Sequence, residues 1–193
     1  MVRIIYLLKV GDLKHTVLST LKRQLERKLR SFNIKVRVLD MQMDLTESEF
    51  NKSRKKFSAS KILKLIRKRF PTEKYFRILG VLDKDIYTRN FNFVFGLASM
   101  QSGAAVISIT RLSEKFYKNT GLLYRRHETE KDLEERILKE AIHELGHTFG
   151  LQHCNNLCVM RFSNNLREVD EKLPKFCNSC LISLRKVLNN SNT

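Results

Sequence analysis

An α/β fold, built on a twisted and mostly parallel sheet covered by helices, is predicted by three features of this chain. Short apolar runs alternate with amphipathic segments between Ile4 and Leu82, a long helical pattern follows from Leu133 to Phe149, and no linker interrupts the whole. The chain has 193 residues, of which 42% are hydrophobic, so it can bury a core of its own. Its two prolines, Pro71 and Pro174, and the lack of any Gly/Ser-rich tract or internal repeat give no sign of a second module.

The apolar run Ile4–Leu8 reads as the first strand. Val17, Leu18, Leu21, Leu25, Leu29 and Phe32 then recur at helical spacing and read as an amphipathic helix. Ile34, Val36 and Val38 alternate with Lys35 and Arg37, which suits a strand with one exposed face. Ile62, Leu63, Ile66 and Phe70 suit a second helix, and Ile78–Leu82 a central strand. The resulting βαβαβ order predicts parallel strands joined by right-handed crossovers. The run Phe91–Gly96 fits an edge strand that could offer main-chain hydrogen bonds to an extended peptide, although phenylalanines in such a run more often pack in a core.

Leu133, Ile137, Leu138, Ala141, Leu145 and Phe149 fall on one side of a helix, with Asp132, Glu134 and Glu135 favourably placed near its N-terminus. His143 and His147 project largely from the opposite side. Histidines four apart stand on successive turns, so both imidazoles can reach one metal ion without distorting the backbone. Glu144, between them, is placed to take a proton from attacking water and return it to a leaving amine. Gly150 suits a left-handed position that ends the helix. The chain can then turn back and bring His153 to the same ion as a third neutral ligand. Three protein ligands leave the fourth position of a tetrahedral zinc open, as catalysis requires. The pattern therefore points to metal-assisted hydrolysis. His15 and His127 have no such partners and read as surface residues; Tyr87, Tyr117 and Tyr124 could stabilise an oxyanion, but no spacing places them near the metal.

All four cysteines lie immediately beyond that third histidine, as Cys154, Cys158, Cys177 and Cys180. Two closely spaced thiolate pairs can enclose zinc tetrahedrally, making a closed structural site. Two disulfides, reduced core thiols or a redox Cys-x-x-Cys are the competing readings. A chain without a secretory signal favours zinc, because cytosolic thiols stay reduced, and the redox reading leaves Cys154 and Cys158 without a role.

The stretch His143–His153, the run His153-Cys154 to Cys158-Val159-Met160, and Cys177-Asn178-Ser179-Cys180 together resemble the archaemetzincin family of metzincin zinc metallopeptidases. Similar segments extend upstream to Asp83–Tyr87, Asn92–Gly96 and Ala104–Ser108. The resemblance implies a peptidase using two zinc ions, one catalytic and one structural, with Met160 in a tight turn beneath the catalytic metal. Only three residues separate Cys154 from Cys158, one fewer than the family pattern implies. The fold implied is a metzincin-like α+β form of the α/β prediction, with helices above an active-site helix and a smaller zinc-stabilised C-terminal subdomain. Residues 1–193 would form one catalytic domain, 1–150 the upper subdomain including the active-site helix and 151–193 the cysteine-rich lower one.

Charge is the remaining unusual feature: 37 Lys and Arg against 20 Asp and Glu give +17. Such a field attracts acidic partners, nonspecific nucleic acid among them, although no nucleic-acid motif accompanies it and a solvated basic surface explains it as well. A zinc-stabilised binding protein with a latent metzincin site is thus the alternative to a peptidase acting on peptide or protein substrates. The opening apolar run is short, is interrupted by Lys9 and lacks a small-residue cleavage site. The expectation is a cytoplasmic monomer with no membrane span.

Overall fold

The computed structural model describes residues 3–71, 73–119 and 128–190. Its first half follows the predicted order: β1 (Arg3–Val10), α1 (His15–Leu29), β2 (Ile34–Met43), two short strands β3 (Phe50–Asn51) and β4 (Lys56–Ser58), α2 (Ala59–Arg69) and β5 (Arg77–Leu82). Then come β6 (Ile86–Tyr87), β7 (Gly96–Ser99), β8 (Ala104–Ser108), α3 (Glu114–Asn119), α4 (Glu130–Thr148), α5 (Leu166–Glu171) and α6 (Asn178–Asn190). The main sheet has the order β2-β1-β5-β8-β7, parallel except for β7, which runs antiparallel to β8 at one edge. A small sheet of β3, β4 and β6 stands apart from it.

Side-chain alternation distributes these strands between two cores. Ile5, Leu7, Leu79, Val81, Ala105 and Ile107 face α1 and α4, whereas Leu8, Val10, Ile78, Leu82, Ala104 and Val106 face α2. The interior strand β8 is buried along its whole length, as a strand covered on both faces must be, while the edge strand β2 alternates at its start between buried and exposed. Helix α1 buries Leu18, Leu21, Leu25 and Leu29, and α2 buries Ala59, Ile62, Leu63 and Ile66. Residues beyond the long helix share the first core through Val159, Met160, Val169, Leu184 and Leu188.

The Phe91–Gly96 expectation needs correction, because the edge strand starts at Gly96, where the phenylalanine run ends. Phe91 is exposed and Phe95 buried; those side chains are spent on packing and on lining a cleft, leaving the smaller Gly96–Ser99 segment to pair with β8.

Helix α4 lies across β7 and β8 beside α1. A reciprocal capping box joins Thr129 and Asp132 at its start, satisfying backbone donors that the first turn leaves open. From Arg136 to Gly146 every residue is buried, so the helix does not divide cleanly into a core side and an open side. Residues of the following segment cover the polar side, and charge pairs make that burial tolerable. Arg136, 1% exposed, donates from Nε and Nη2 to Asp170 at 2.7 and 2.9 Å, from Nη1 to Glu128 at 2.6 Å and the Leu112 carbonyl at 3.1 Å, and from Nη2 to Glu114 at 3.3 Å. Lys139 Nζ donates to the Asp170 carbonyl, and Lys172 Nζ lies 2.6 Å from Glu140 Oε1 with both side chains buried. Among the described residues, no helix is long and apolar enough to cross a membrane.

Removing one member of such a network strands its partners in a low-dielectric interior. Arg136→Met is therefore expected to lower stability by about 3–5 kcal/mol, read by urea denaturation, and adding Asp170→Asn should recover part of the loss. Unchanged denaturation would mean that these carboxylates reach solvent without the arginine.

Candidate active site and metal centres

The site begins with the ring orientation of two histidines on α4. His143 Nδ1 donates to the Val159 carbonyl at 2.9 Å and His147 Nδ1 to the Leu151 carbonyl at 2.7 Å, which leaves both Nε2 lone pairs free. Those Nε2 atoms converge to 3.1 Å. Two imidazoles bound to one tetrahedral zinc at about 2.0–2.1 Å would be separated by roughly 3.3 Å, so the pair is spaced for that ion. Burial lowers the pKa of His143 well below the usual histidine value, with the positive charge of Lys172 adding to it; burial is also the first cause of the lowered values of His147 and His153. Neutral imidazole is the form that binds metal.

The helix ends as the sequence predicts. Gly150 has φ +85°, its N–H donates to the His147 carbonyl at 2.9 Å, and the Leu151 N–H donates to the Gly146 carbonyl at 3.1 Å, the two bonds of a Schellman motif. The chain reverses there and brings back His153, whose ring centroid lies 5.4 Å from that of His143 and 4.9 Å from that of His147. One nitrogen from each of the three histidines falls within 4.8 Å of the others. Their donor type, tautomer and spacing all fit zinc.

Glu144 lies on the next α4 position, buried, with its carboxyl against the backbone of Gly96. A Cβ at Gly96 would stand 2.5 Å from Glu144 Cγ and 2.6 Å from Oε1, so only glycine admits this contact. Burial pushes the Glu144 carboxyl well above the usual range, and the charge of Glu140 pushes the same way. A cleft of about 690 Å³ opens in front, bounded by residues 88–98, by the three histidines and Glu144, and by Phe162, Ser163 and Asn164. Phe162 packs against His153, with centroids 4.9 Å apart, and faces Phe91 across 6.1 Å.

Met160 is wholly buried against Gly146, the α4 residue just before His147. A side chain at Gly146 would meet the Met160 sulfur at 2.4 Å, so the glycine of the histidine motif makes room for the methionine. The histidine motif contains Gly146 but not Gly96, and close approach of distant residues is not a periodic signal in either case. Gly96 and Gly146 were accordingly missed, as was the buried Lys172–Glu140 pair in the cleft wall.

The four cysteines form a second cluster, with their sulfurs within 4.8 Å of one another and none in a disulfide. Cys154 and Cys177 sulfurs lie 3.7 Å apart, close to the roughly 3.8 Å expected when two thiolates bind one tetrahedral zinc at about 2.3 Å. Backbone N–H groups of Met160 and Cys177 donate to the Cys158 sulfur at 3.4 and 3.2 Å. Hydrogen bonding by Ser179, and next by the Cys180 backbone, brings the Cys177 thiol down to about 5. Burial pushes the Cys158 and Cys180 thiols up instead, so Cys177 is the sulfur held toward the thiolate before any metal binds. The short loop between Cys154 and Cys158 still lets all four meet, because the Cys154 N–H is tied to the Met160 carbonyl at 3.0 Å.

The other candidates fall elsewhere. His15 is exposed at the start of α1. Tyr87 accepts a hydrogen bond from Asn51, Tyr117 donates to the Arg111 carbonyl, and neither lines the cleft. Tyr124 and His127 lie outside the described residues.

Comparison with known proteins agrees with this geometry. The profile of peptidase family M54 matches residues 1–186. Archaemetzincin from Nanoarchaeum equitans is 42% identical over 160 residues, covering 83% of this chain and 76% of its own, and archaemetzincin from Pyrococcus abyssi is 37% identical over 196 residues, covering 99% of each. The crystal structure of a zinc-dependent peptidase from Methanocorpusculum labreanum superposes with a TM-score of 0.78 at 30% identity, covering 93% of this chain and 99% of that one. The chain belongs to peptidase family M54, the archaemetzincins, and is a zinc metallopeptidase.

Proposed function

We propose that His143, His147 and His153 hold the catalytic zinc through one nitrogen each, that Glu144 is the general base and acid of peptide hydrolysis, and that Cys154, Cys158, Cys177 and Cys180 hold a second, structural zinc. The observation that carries this reading is the convergence of three neutral imidazoles with a buried carboxylate beside them on the same helix, at the wall of an open cleft. When bound, Zn²⁺ supplies Lewis acidity, lowering the pKa of water and polarising the scissile carbonyl. Glu144 takes the proton of the attacking water on its carboxylate and delivers it to the leaving amine. Gly96 sets the position of that carboxylate by admitting it against the backbone. Edge strand β7 receives the substrate as an added strand, using main-chain groups that β8 leaves unpaired. In this reading one catalytic domain acts as a monomer, residues 1–150 standing above the cleft and 151–193 below it. Met160, packed against Gly146, supports the metal from the turn.

The primary test incubates zinc-loaded protein and its Glu144→Gln variant with a diverse peptide library, reading new termini by mass spectrometry. Cleavage should fall by about 10²–10⁴-fold in the variant, with zinc content retained. His143→Ala or His147→Ala should lose both zinc and cleavage. Equal silence from folded, zinc-loaded wild type and variant would favour a latent or binding role, and nucleic acid would be the next ligand to assay.

Two further variants examine the supporting contacts. Gly96→Ala should displace the Glu144 carboxyl and reduce kcat about 10²-fold without loss of zinc; an unchanged kcat would remove Gly96 from the account. Replacing Cys177 and Cys180 by serine should halve the zinc content or worse. It should also lower Tm by roughly 10 °C or more, because losing a structural zinc costs several kcal/mol and a chain of this size shifts about 2–4 °C per kcal/mol. Unchanged metal content and melting would refute a structural zinc there.

A further inference from the structure

A second cavity, about 740 Å³, borders the cleft at the far side of β7. Its cationic wall is α2, which carries Lys61, Lys64, Arg67, Lys68 and Arg69 and no acidic residue. Lys64, Arg67 and Lys68 line the cavity, and all three are exposed. Among the described residues Glu73 is the one carboxylate in the lining. Leu97 and Ala98 of β7, with Ser60 of α2, line both this cavity and the catalytic cleft, so the two are continuous along the sheet edge. Along β7 the chain leaves Glu144 at Gly96 and reaches the basic groove by Ala98, and the far end is floored by Gln101 and Ser102. Ser102 is 8% exposed, and its hydroxyl has no hydrogen-bond partner among the described residues.

Resting on the peptidase reading above, we infer that this groove is an extended substrate subsite that selects acidic polypeptide segments. A strand added to β7 presents alternate side chains to the α2 side, about 7 Å apart, and continues past Ala98 between the cations and the Gln101–Ser102 turn. Aspartate or glutamate at such positions meets Lys64, Arg67 and Lys68, and a neutral segment leaves them solvated but unused. The continuity with a peptide cleft, through a strand edge that pairs with main chain, favours polypeptide over nucleic acid as the source of negative charge. Carboxylates a few residues from the scissile bond are therefore what the groove reads.

The test measures binding apart from turnover. Zinc-loaded Glu144→Gln protein is titrated by fluorescence anisotropy with peptides sharing one cleavable core and differing only in flanking Glu or Gln residues. The same titration is run on this protein carrying Lys64→Gln, Arg67→Gln and Lys68→Gln, and on one with exposed α1-side charges removed instead, as Arg23→Gln, Arg27→Gln and Arg30→Gln. The acidic peptide should bind about tenfold more tightly than the neutral one at low salt, and the α2 substitutions alone should erase that difference. Equal loss from both charge-removal sets would show a general field and overturn the inference, as would an unchanged preference in the α2 variant. Displacement of the acidic peptide by single-stranded RNA at lower concentration than by a second acidic peptide would also overturn it, assigning the groove to nucleic acid. A catalytically silent wild type that still shows the α2-dependent preference would separate failure of the peptidase reading from failure of this one.

Discussion

Burial of charge along α4 is the constraint on which the rest of the structure depends. A helix that brings metal-binding groups to a cleft wall needs both faces covered, one by the sheet and α1 and the other by the chain that follows it. Arg136, Lys139 and Glu140 meet that need by pairing with groups of the 166–172 region instead of with apolar side chains. Paired charges bring little net stability over a well-packed hydrophobic substitute, but they tolerate few alternative alignments. Sliding α4 by one residue against its cover would break every pair at once, so its register, and with it the direction of His143, Glu144 and His147, is set by electrostatics as much as by packing.

The same arrangement explains how the segment between Thr148 and Leu166 is ordered without a helix or strand of its own. Between Thr148 and Leu166 the described chain has no helix or strand, yet its carbonyl groups at Leu151 and Val159 orient the two helical histidines. The loop uses its main-chain polarity on the imidazoles, and they return the constraint by holding its path. Cys154 follows His153 directly and bonds through its N–H to Met160. The two clusters therefore share one short stretch of backbone, in which consecutive residues belong to different clusters.

Much of this was legible in the sequence because it is periodic or closely spaced. Helical repeats located α1, α2 and α4; alternation located β2; and the histidine, glycine and cysteine spacings located both clusters, down to the left-handed Gly150. What escaped was nonlocal. The phenylalanine run from Phe91 looked like a strand because aromatic residues favour sheets, but those side chains face a cleft, and the strand forms where the residues become small. Arg136 and Lys172 look like solvated charges in any local window, since nothing in a window shows that carboxylates 22 to 34 residues away will meet them. Gly96 and Gly146 signal close approach only once the approaching side chain, Glu144 or Met160, is placed in space.

Among the described residues β7 has one strand partner, β8, and its other edge has a colloidal consequence. An unpaired strand edge is a template for another copy of the same strand, and proteins that expose one must discourage such pairing. Here the edge is overlooked by α2, so two molecules joining through β7 would press Lys64, Arg67 and Lys68 of one copy toward the same three cations of the other, against a background of +17 on each chain. Like-charge repulsion at that approach discourages edge-to-edge aggregation while leaving the strand available to a chain of opposite charge. It weakens as salt screens the field, so self-association through this edge is a hazard of high ionic strength and not of dilute buffer.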